Sequence, residues 1–419
     1  MMEHFKHICA YLTTIGLLPV FFFAPFPYGE VQRLGLYVAG IGFVIDYIVN
    51  HRWQQWSWSR DKWAFLCFVF FYCCLWIHPL LGDQLGWLYR SKTESYLPFL
   101  IFGVVGLAGC NHTMKIEYVA ATMLLGCVTM VAVLGKAMWG VPMTDGSRWL
   151  AQLNEQRIDL INSHMVVNVY CNMTLVMCAW MVFRSSWPKW TKWIFGIGAV
   201  GIIGGLTLSE GRAGQITTIL ILLGIILYWL IQKRYHKWIL PLVAALGILA
   251  GIMWHINPHF HDYSLRDNPR LYVWSVAQSM IQEKPVLGWG IDEAREEFIR
   301  RGQNDEDFRT YYMHEYEMMA RERFGEVDYT RMDPHSAFLE TWMEWGVIGL
   351  IIFVLCLVLP IVYVPNRNNR VFLAMIIVVF AIQAFVGCMG RGLSPIWVPL
   401  MMFIWTYNRE TEKTHENSL

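Results

Sequence analysis

Apolar runs of about twenty residues recur along almost the whole chain, and this repetition constrains the fold more than any other feature. A helix of that length matches the roughly 30 Å hydrocarbon layer of a bilayer. Inside lipid the backbone must satisfy its own hydrogen bonds, and a helix does so within one segment. Runs of spanning length fall at about 8–24, 34–50, 63–80, 96–110, 118–138, 164–183, 193–208, 213–231, 238–254, 337–363, 371–388 and 393–407. Charged residues make up only 16% of the chain, against about a quarter in a soluble domain. The 21 Trp and 19 Tyr suit aromatic belts at two interfaces. The expected fold is an all-α integral membrane protein with about 12 transmembrane helices.

Basic residues orient the spans. With the N-terminus cytoplasmic, the cytoplasmic loops carry twelve Lys and Arg and the opposite short loops seven: Arg33, Arg90, Lys92, Arg148, Arg157, Arg212 and Arg391. Both termini are therefore expected in the cytoplasm. The first run, Ile8 to Ala24, lacks a small-residue cleavage site and reads as a retained span. The organisation expected is spans 1–9 with short loops over 1–254, a large outer loop over 255–335 between spans 9 and 10, spans 10–12 over 336–407, and a polar cytoplasmic tail over 408–419.

Within the large loop, Asn268 and Pro269 mark a helix start followed at once by Arg270. Val273, Val276, Ala277 and Met280 give this helix one apolar face. Lys284-Pro285 ends it, and Gly288-Trp289-Gly290 turns the chain. The charged stretch Asp292 to Arg331 reads as one or two amphipathic helices near the membrane surface.

The loop closes with Asp333-Pro334-His335-Ser336. With Asp333 as cap and Pro334 first in the helix, His335 falls in the first turn of span 10, at the water–lipid boundary. The helix dipole opposes a positive charge there and favours the neutral imidazole that a general base requires. Arg270 has a parallel cap-and-proline setting. Arg212, in Ser209-Glu210-Gly211-Arg212, and Arg391, in Gly390-Arg391-Gly392, lie between spans on the same outer side. Arginine is costly beside lipid unless it binds an anion or pairs with a carboxylate, and guanidinium grips phosphate oxygens bidentately. The pattern points to cleavage of a phosphate ester or anhydride. The structural alternatives are a capping histidine at 335, pairing of Arg212 or Arg391 with Glu210 or Glu340, and pairing of Arg270 with Asp262 or Asp267.

Other chemistries find less support. A net charge of +1 gives no case for nucleic-acid binding. Of the ten cysteines, Cys67, Cys73, Cys74, Cys127, Cys171, Cys178, Cys356 and Cys388 lie in apolar runs and read as buried hydrophobes. His255, His259 and His261 are separated by Pro258, and no carboxylate pattern completes a metal site. Asp305-Glu306-Asp307 reads as solvated surface. No phosphate-cradling glycine loop occurs, which speaks against ATP-driven transport.

Several of these pieces, taken together, resemble one family. Arg270-Leu-Tyr-Val-Trp274 through Lys284-Pro285-Val-Leu-Gly288-Trp-Gly290, and His335-Ser-Ala-Phe-Leu339 through Glu344-Trp-Gly346-Val-Ile-Gly349, look like the signature of the O-antigen ligase and polymerase superfamily. Ser209-Glu-Gly-Arg212 resembles that family's short outer turn with an arginine, and the large loop between the signature halves also matches. The resemblance covers about Arg157 to Gly392.

What the resemblance implies is a membrane glycosyltransferase of the all-helical GT-C type in the bacterial inner membrane, its active site facing the periplasm. The donor implied is a glycan on undecaprenyl pyrophosphate. A ligase moves that glycan onto a lipid A-core sugar without metal or other cofactor. By match to the motifs, His335 takes the family's histidine role, and Arg212 and Arg270 the arginine roles near the donor diphosphate. Arg157 and Arg391 are added from position alone. The charged insert Asp292 to Arg331 exceeds the family pattern and leaves the acceptor open; it is expected to hold the acceptor at the membrane surface. An O-antigen polymerase or a protein O-oligosaccharyltransferase are the alternatives within the superfamily. A polytopic transporter or flippase is the alternative outside it, and it would place more polar residues deep in the spans than Asp46, Asn168, Asn172 and Gln383.

Overall fold

The computed structural model describes residues 2–55, 58–60, 62–82, 86–108, 116–137, 164–207, 212–235, 269–314, 332–363 and 367–387, with isolated positions within 237–247 and 317–321. Among these residues the structure is helical, with no strand. The principal helices are α1 (Met2–Phe23), α2 (Gly29–Val49), α3 (Lys62–Cys73), α4 (Trp87–Ala108), α5 (Ile116–Ala137), α6 (His164–Arg184), α7 (Lys189–Thr207), α8 (Arg212–Gln232), α9 (Pro269–Glu283), α10 (Ile291–Asn304), α11 (Ala337–Tyr363) and α12 (Arg367–Val386). Short helical turns carry α3 on to Leu80.

By length and composition, 6 of the described helical segments can cross a membrane: Gly29–Val49, Lys62–Leu80, Ile116–Val133, Val166–Arg184, Ala213–Gln232 and Ala337–Tyr363. Tyr11–Phe23 and Arg370–Val386 are shorter apolar helices. The runs expected at 238–254 and 393–407 lie wholly or mostly outside the described residues. One boundary differs markedly. The run expected at 96–110 begins at Trp87, so Arg90 and Lys92 belong to helix α4 rather than to a loop. Lys92 is 2% exposed, and its charge is met inside the protein.

The ends of several helices fall at one face of the bundle. The Ala337 amide donates to the Gly387 carbonyl at 2.9 Å, so the start of α11 meets the residue after α12. Rings of Tyr228 and Phe372 lie 5.0 Å apart, placing the end of α8 by the start of α12. Earlier in α8, Gly224 faces Met375, further along α12, so the two helices run antiparallel. The Arg212 end of α8 therefore faces the same way as Gly387. Asn172 donates to the Gly214 carbonyl at 3.2 Å, and Phe183 meets Tyr228 at 5.8 Å, so α6 runs parallel to α8. The starts of α6, α8 and α11 and the end of α12 thus share one face.

The described part of the large loop forms a helical cap with its own small core. Val273, Val276, Ala277 and Met280 of α9 are buried, as their spacing predicts, against Ala294 and Phe298 of α10, Phe308, and Met343 of α11. Phe298 and Phe308 meet edge-on at 5.8 Å. The apolar side of α10 is spent on this core rather than offered to lipid. The expected helix is present in the described part of the insert, with its apolar side packed on the cap core. Asp305 turns its carboxylate to the Phe308 amide at 2.8 Å, while Glu306 and Asp307 stay exposed.

Candidate functional site

The cap is tied to the bundle through backbone. Helix α11 is interrupted at Gly346, whose φ of 65° lies in the left-handed region. There the Pro285–Gly290 turn docks. The Trp289 amide donates to the Met343 carbonyl at 2.8 Å, the Gly290 amide to Glu344 at 3.0 Å, and the Val347 amide to Pro285 at 2.9 Å. The break in the helix frees these groups, and the docked turn satisfies them. A side chain at Gly346 would strike the Val286 carbonyl, and one at Gly288 would come within 2.6 Å of Glu344 backbone. The motif half within the large loop and the half that runs into α11 therefore form one interlocked unit.

Next to this joint lies the turn bearing His335. The structure corrects the local reading here: α11 begins at Ala337, and His335 precedes it in a bend with φ 47°. Asp333 does not cap α11. Its Oδ1 accepts from the His335 amide at 2.9 Å and lies 3.1 Å from His335 Nδ1. A carboxylate at Nδ1 selects the tautomer with the proton there and leaves Nε2 as the acceptor. The His335 side chain is 37% exposed.

Helix α9 runs up to this turn. Trp274 Nε1 donates to the Pro334 carbonyl at 3.1 Å, and the Trp274 ring meets Phe385 of α12 at 5.5 Å. Arg270 lies four residues earlier, on the same side of α9 as Trp274, and is exposed. Arg212 is the first residue of α8, at the face shared with Gly387. Arg157 and Arg391 lie outside the described residues, as do His255, His259 and His261. Among the described candidates, then, the contact of Trp274 with Pro334 sets the helix that bears Arg270 against the turn that bears His335, and Arg212 opens a helix at that same end of the bundle.

A cluster that the sequence reading missed lies just below. Glu340 and Glu344, one turn apart on α11, are each 3% exposed. Lys92 Nζ bonds Glu340 Oε1 at 2.9 Å and also bonds Glu344 Oε1. Arg295 of α10 reaches Glu340 Oε1 at 3.3 Å. Two cations thus face two carboxylates, contributed by α4, α10 and α11. Glu340, considered above as a partner for Arg391, is held by these two cations. One signal could have exposed the cluster: two carboxylates four residues apart in an apolar run require buried cations.

The outer side of the cap carries a separate ionic patch. Arg301 bridges Glu283 and Glu297, each at 2.6 Å, and Arg300 also bonds Glu297 at 2.6 Å. These guanidinium groups, Arg300 foremost, hold the Glu297 carboxyl down at about 2. Lys284 sits 3.9 Å over the Trp289 ring and Arg301 5.3 Å from it.

No group of three or more His, Cys, Asp or Glu able to hold a metal ion occurs among the described residues. The chemistry available at this face is cationic and basic: arginines at two helix starts, and an imidazole oriented by a carboxylate.

Comparison with known proteins finds similarity to one family. Residues 197–354 match the sequence model of a family described as O-antigen ligase. That segment contains Arg212, Arg270, Arg295, His335, Glu340 and Glu344; Lys92 lies outside it. A Rickettsia conorii protein provisionally named polysaccharide ligase is 29% identical over 129 residues, which is 30% of this chain and 28% of that protein. The chain thus matches a little over a quarter of that relative's length. Among its described residues the chain is helical, with 6 segments long and apolar enough to cross a membrane, and residues 197–354 are similar to the O-antigen ligase family.

Proposed function

We propose that the chain is a membrane glycosyltransferase of GT-C type that transfers a glycan from undecaprenyl pyrophosphate to a lipid A-core sugar, at the periplasmic face of the inner membrane. The observation that carries this reading is the Asp333–His335 pair at the mouth of α11, held beside the helix that bears Arg270. The match of residues 197–354 supports it.

On this reading, the bond from the anomeric carbon to the pyrophosphate oxygen breaks, and negative charge grows on that oxygen. Arg270 and Arg212 supply fixed positive charge where it develops. Arg157 and Arg391 are proposed as further contacts to the donor diphosphate. The acceptor hydroxyl is a poor nucleophile until it loses its proton. His335 Nε2 accepts that proton during attack, while Asp333 holds Nδ1 and stabilises the imidazolium that forms. A single displacement inverts the anomeric centre. The exposed side of the cap is proposed to hold the acceptor's core saccharide.

The test is twofold. Purified protein in liposomes is given lipid-linked glycan and core-lipid acceptor. The wild type is expected to transfer the glycan, and His335→Ala to do so at least about a hundredfold more slowly. Undiminished transfer by that variant would remove the histidine from the reaction. In cells lacking the gene, full-length lipid-linked glycan accumulates and long-chain lipopolysaccharide is lost. Accumulation of single repeat units instead would identify a polymerase.

A further inference from the structure

The cluster of Lys92, Arg295, Glu340 and Glu344 is used by no step described so far. We propose that it is a positioning element: it fixes the first turns of α11 and thereby sets His335 in place for the transfer reaction. This rests on the function proposed above.

Three observations carry the inference. First, the cluster joins three separate parts of the chain at one point of α11, close in sequence to His335. Replacing buried ion pairs by apolar side chains often costs no stability, so their presence is weak evidence for stability alone. What such a network supplies is direction: each carboxylate has a definite partner from a definite helix.

Second, the connection to His335 is short and buried. The Glu340 amide donates to the Ser336 carbonyl at 2.9 Å, and Ser336 is 1% exposed. Pro334, Arg295, Glu340 and Glu344 line one common gap together with Phe298 and Met343. A shift of Glu340 is therefore transmitted to the residue beside His335 with no flexible side chain between.

Third, His335 holds a left-handed backbone conformation that non-glycine residues rarely adopt. Such a conformation persists only where the surroundings over-determine it. Asp333 holds the His335 amide, Trp274 holds Pro334, and Lys92 with Arg295 holds the turn that follows.

If the cluster positions His335 and does not touch the donor, its disturbance lowers kcat and spares the donor KM. A general loss of structure lowers both kcat and thermal stability and raises KM. The experiment uses full-length protein in liposomes with undecaprenyl-pyrophosphate-linked glycan and core-lipid acceptor. Lys92→Arg keeps the charge and alters the geometry. Lys92→Met combined with Glu344→Gln removes one charge of each sign. Each folded variant is expected to lose about tenfold or more in kcat, with donor KM within about twofold of wild type, because small misplacement of a reacting group is costly. Wild-type kcat in either folded variant overturns the proposal, as does a donor KM that rises in step with the fall in kcat. If the double variant does not fold, Lys92→Arg alone decides. His335→Ala is run beside them. Full activity of His335→Ala defeats the proposed function itself, whereas an inactive His335→Ala with fully active Lys92 variants defeats only the positioning role.

Discussion

Trp274 Nε1 donates to the Pro334 carbonyl at 3.1 Å, so a residue of the cap holds the backbone immediately before His335. Trp274 is also one helical turn beyond Arg270. One hydrogen bond thus relates the helix of the proposed diphosphate-binding arginine to the turn of the proposed base. Trp274→Phe keeps a ring against Phe385 and removes the donor. Its expected cost is about 1 kcal/mol of stability, with a severalfold fall in transfer rate. Thermal unfolding and initial-rate measurements check the two parts separately.

Asp333 accepts from the His335 amide and faces its Nδ1. Asp333→Asn keeps the shape and can still meet the amide, but its side chain carries no charge to stabilise an imidazolium. The expected result is a loss of about a hundredfold in kcat with donor KM little changed. A rate close to that of the wild type would show that the carboxylate serves the turn alone.

At Gly346 a methyl group would strike the Val286 carbonyl, and the backbone φ of 65° disfavours any side chain. Gly346→Ala is expected to destabilise the protein by several kcal/mol, since strain and steric overlap add. Gly196 offers the contrast, because a methyl group there meets nothing within 4 Å on helix α7. Gly196→Ala is expected to be neutral or stabilising by up to about 1 kcal/mol. Folded yield and thermal unfolding of the two variants distinguish a required glycine from a permitted one.

The cap should also respond to acid. Glu297 ionises at about 2 in the folded protein against an ordinary value of 4.5. Its contribution to stability is therefore fully present above about pH 4.5 and is lost as the pH falls towards 2. Because Glu297 holds Arg300 and Arg301, the protection of the 283–301 backbone against hydrogen exchange, taken relative to the intrinsic rate at each pH, is expected to fall across that window. In Glu297→Gln the exchange is expected to be faster at neutral pH and to lose this part of its acid dependence.

Much of the cap was legible from residue spacing. Val273, Val276, Ala277 and Met280 recur as a buried helix face must, and Pro269 and Lys284-Pro285 bound that helix. The turn at Gly288-Trp289-Gly290 was legible too, but not its seat on α11, because backbone pairing between segments distant in sequence leaves no local pattern. Local sequence puts His335 inside the helix, whereas the chain enters α11 only at Ala337. Asp333 has two uses open to it, as a helix cap or as the acceptor for an amide two residues on, and local sequence does not choose between them.

The sequence by itself determined that the chain is helical and suited to a membrane, because the length of its apolar runs and the scarcity of charge leave few other ways to satisfy the backbone. It also singled out His335, Arg270 and Arg212 as residues at segment ends, where charge can reach water. Only the tertiary structure decided what stands behind them. In sequence Lys92 resembles a loop residue, and Glu340 and Glu344 resemble interruptions of a span. Their meaning is a matter of distance between α4, α10 and α11, and burial makes that pairing compulsory: a charge removed from water must find its opposite wherever the fold brings one near.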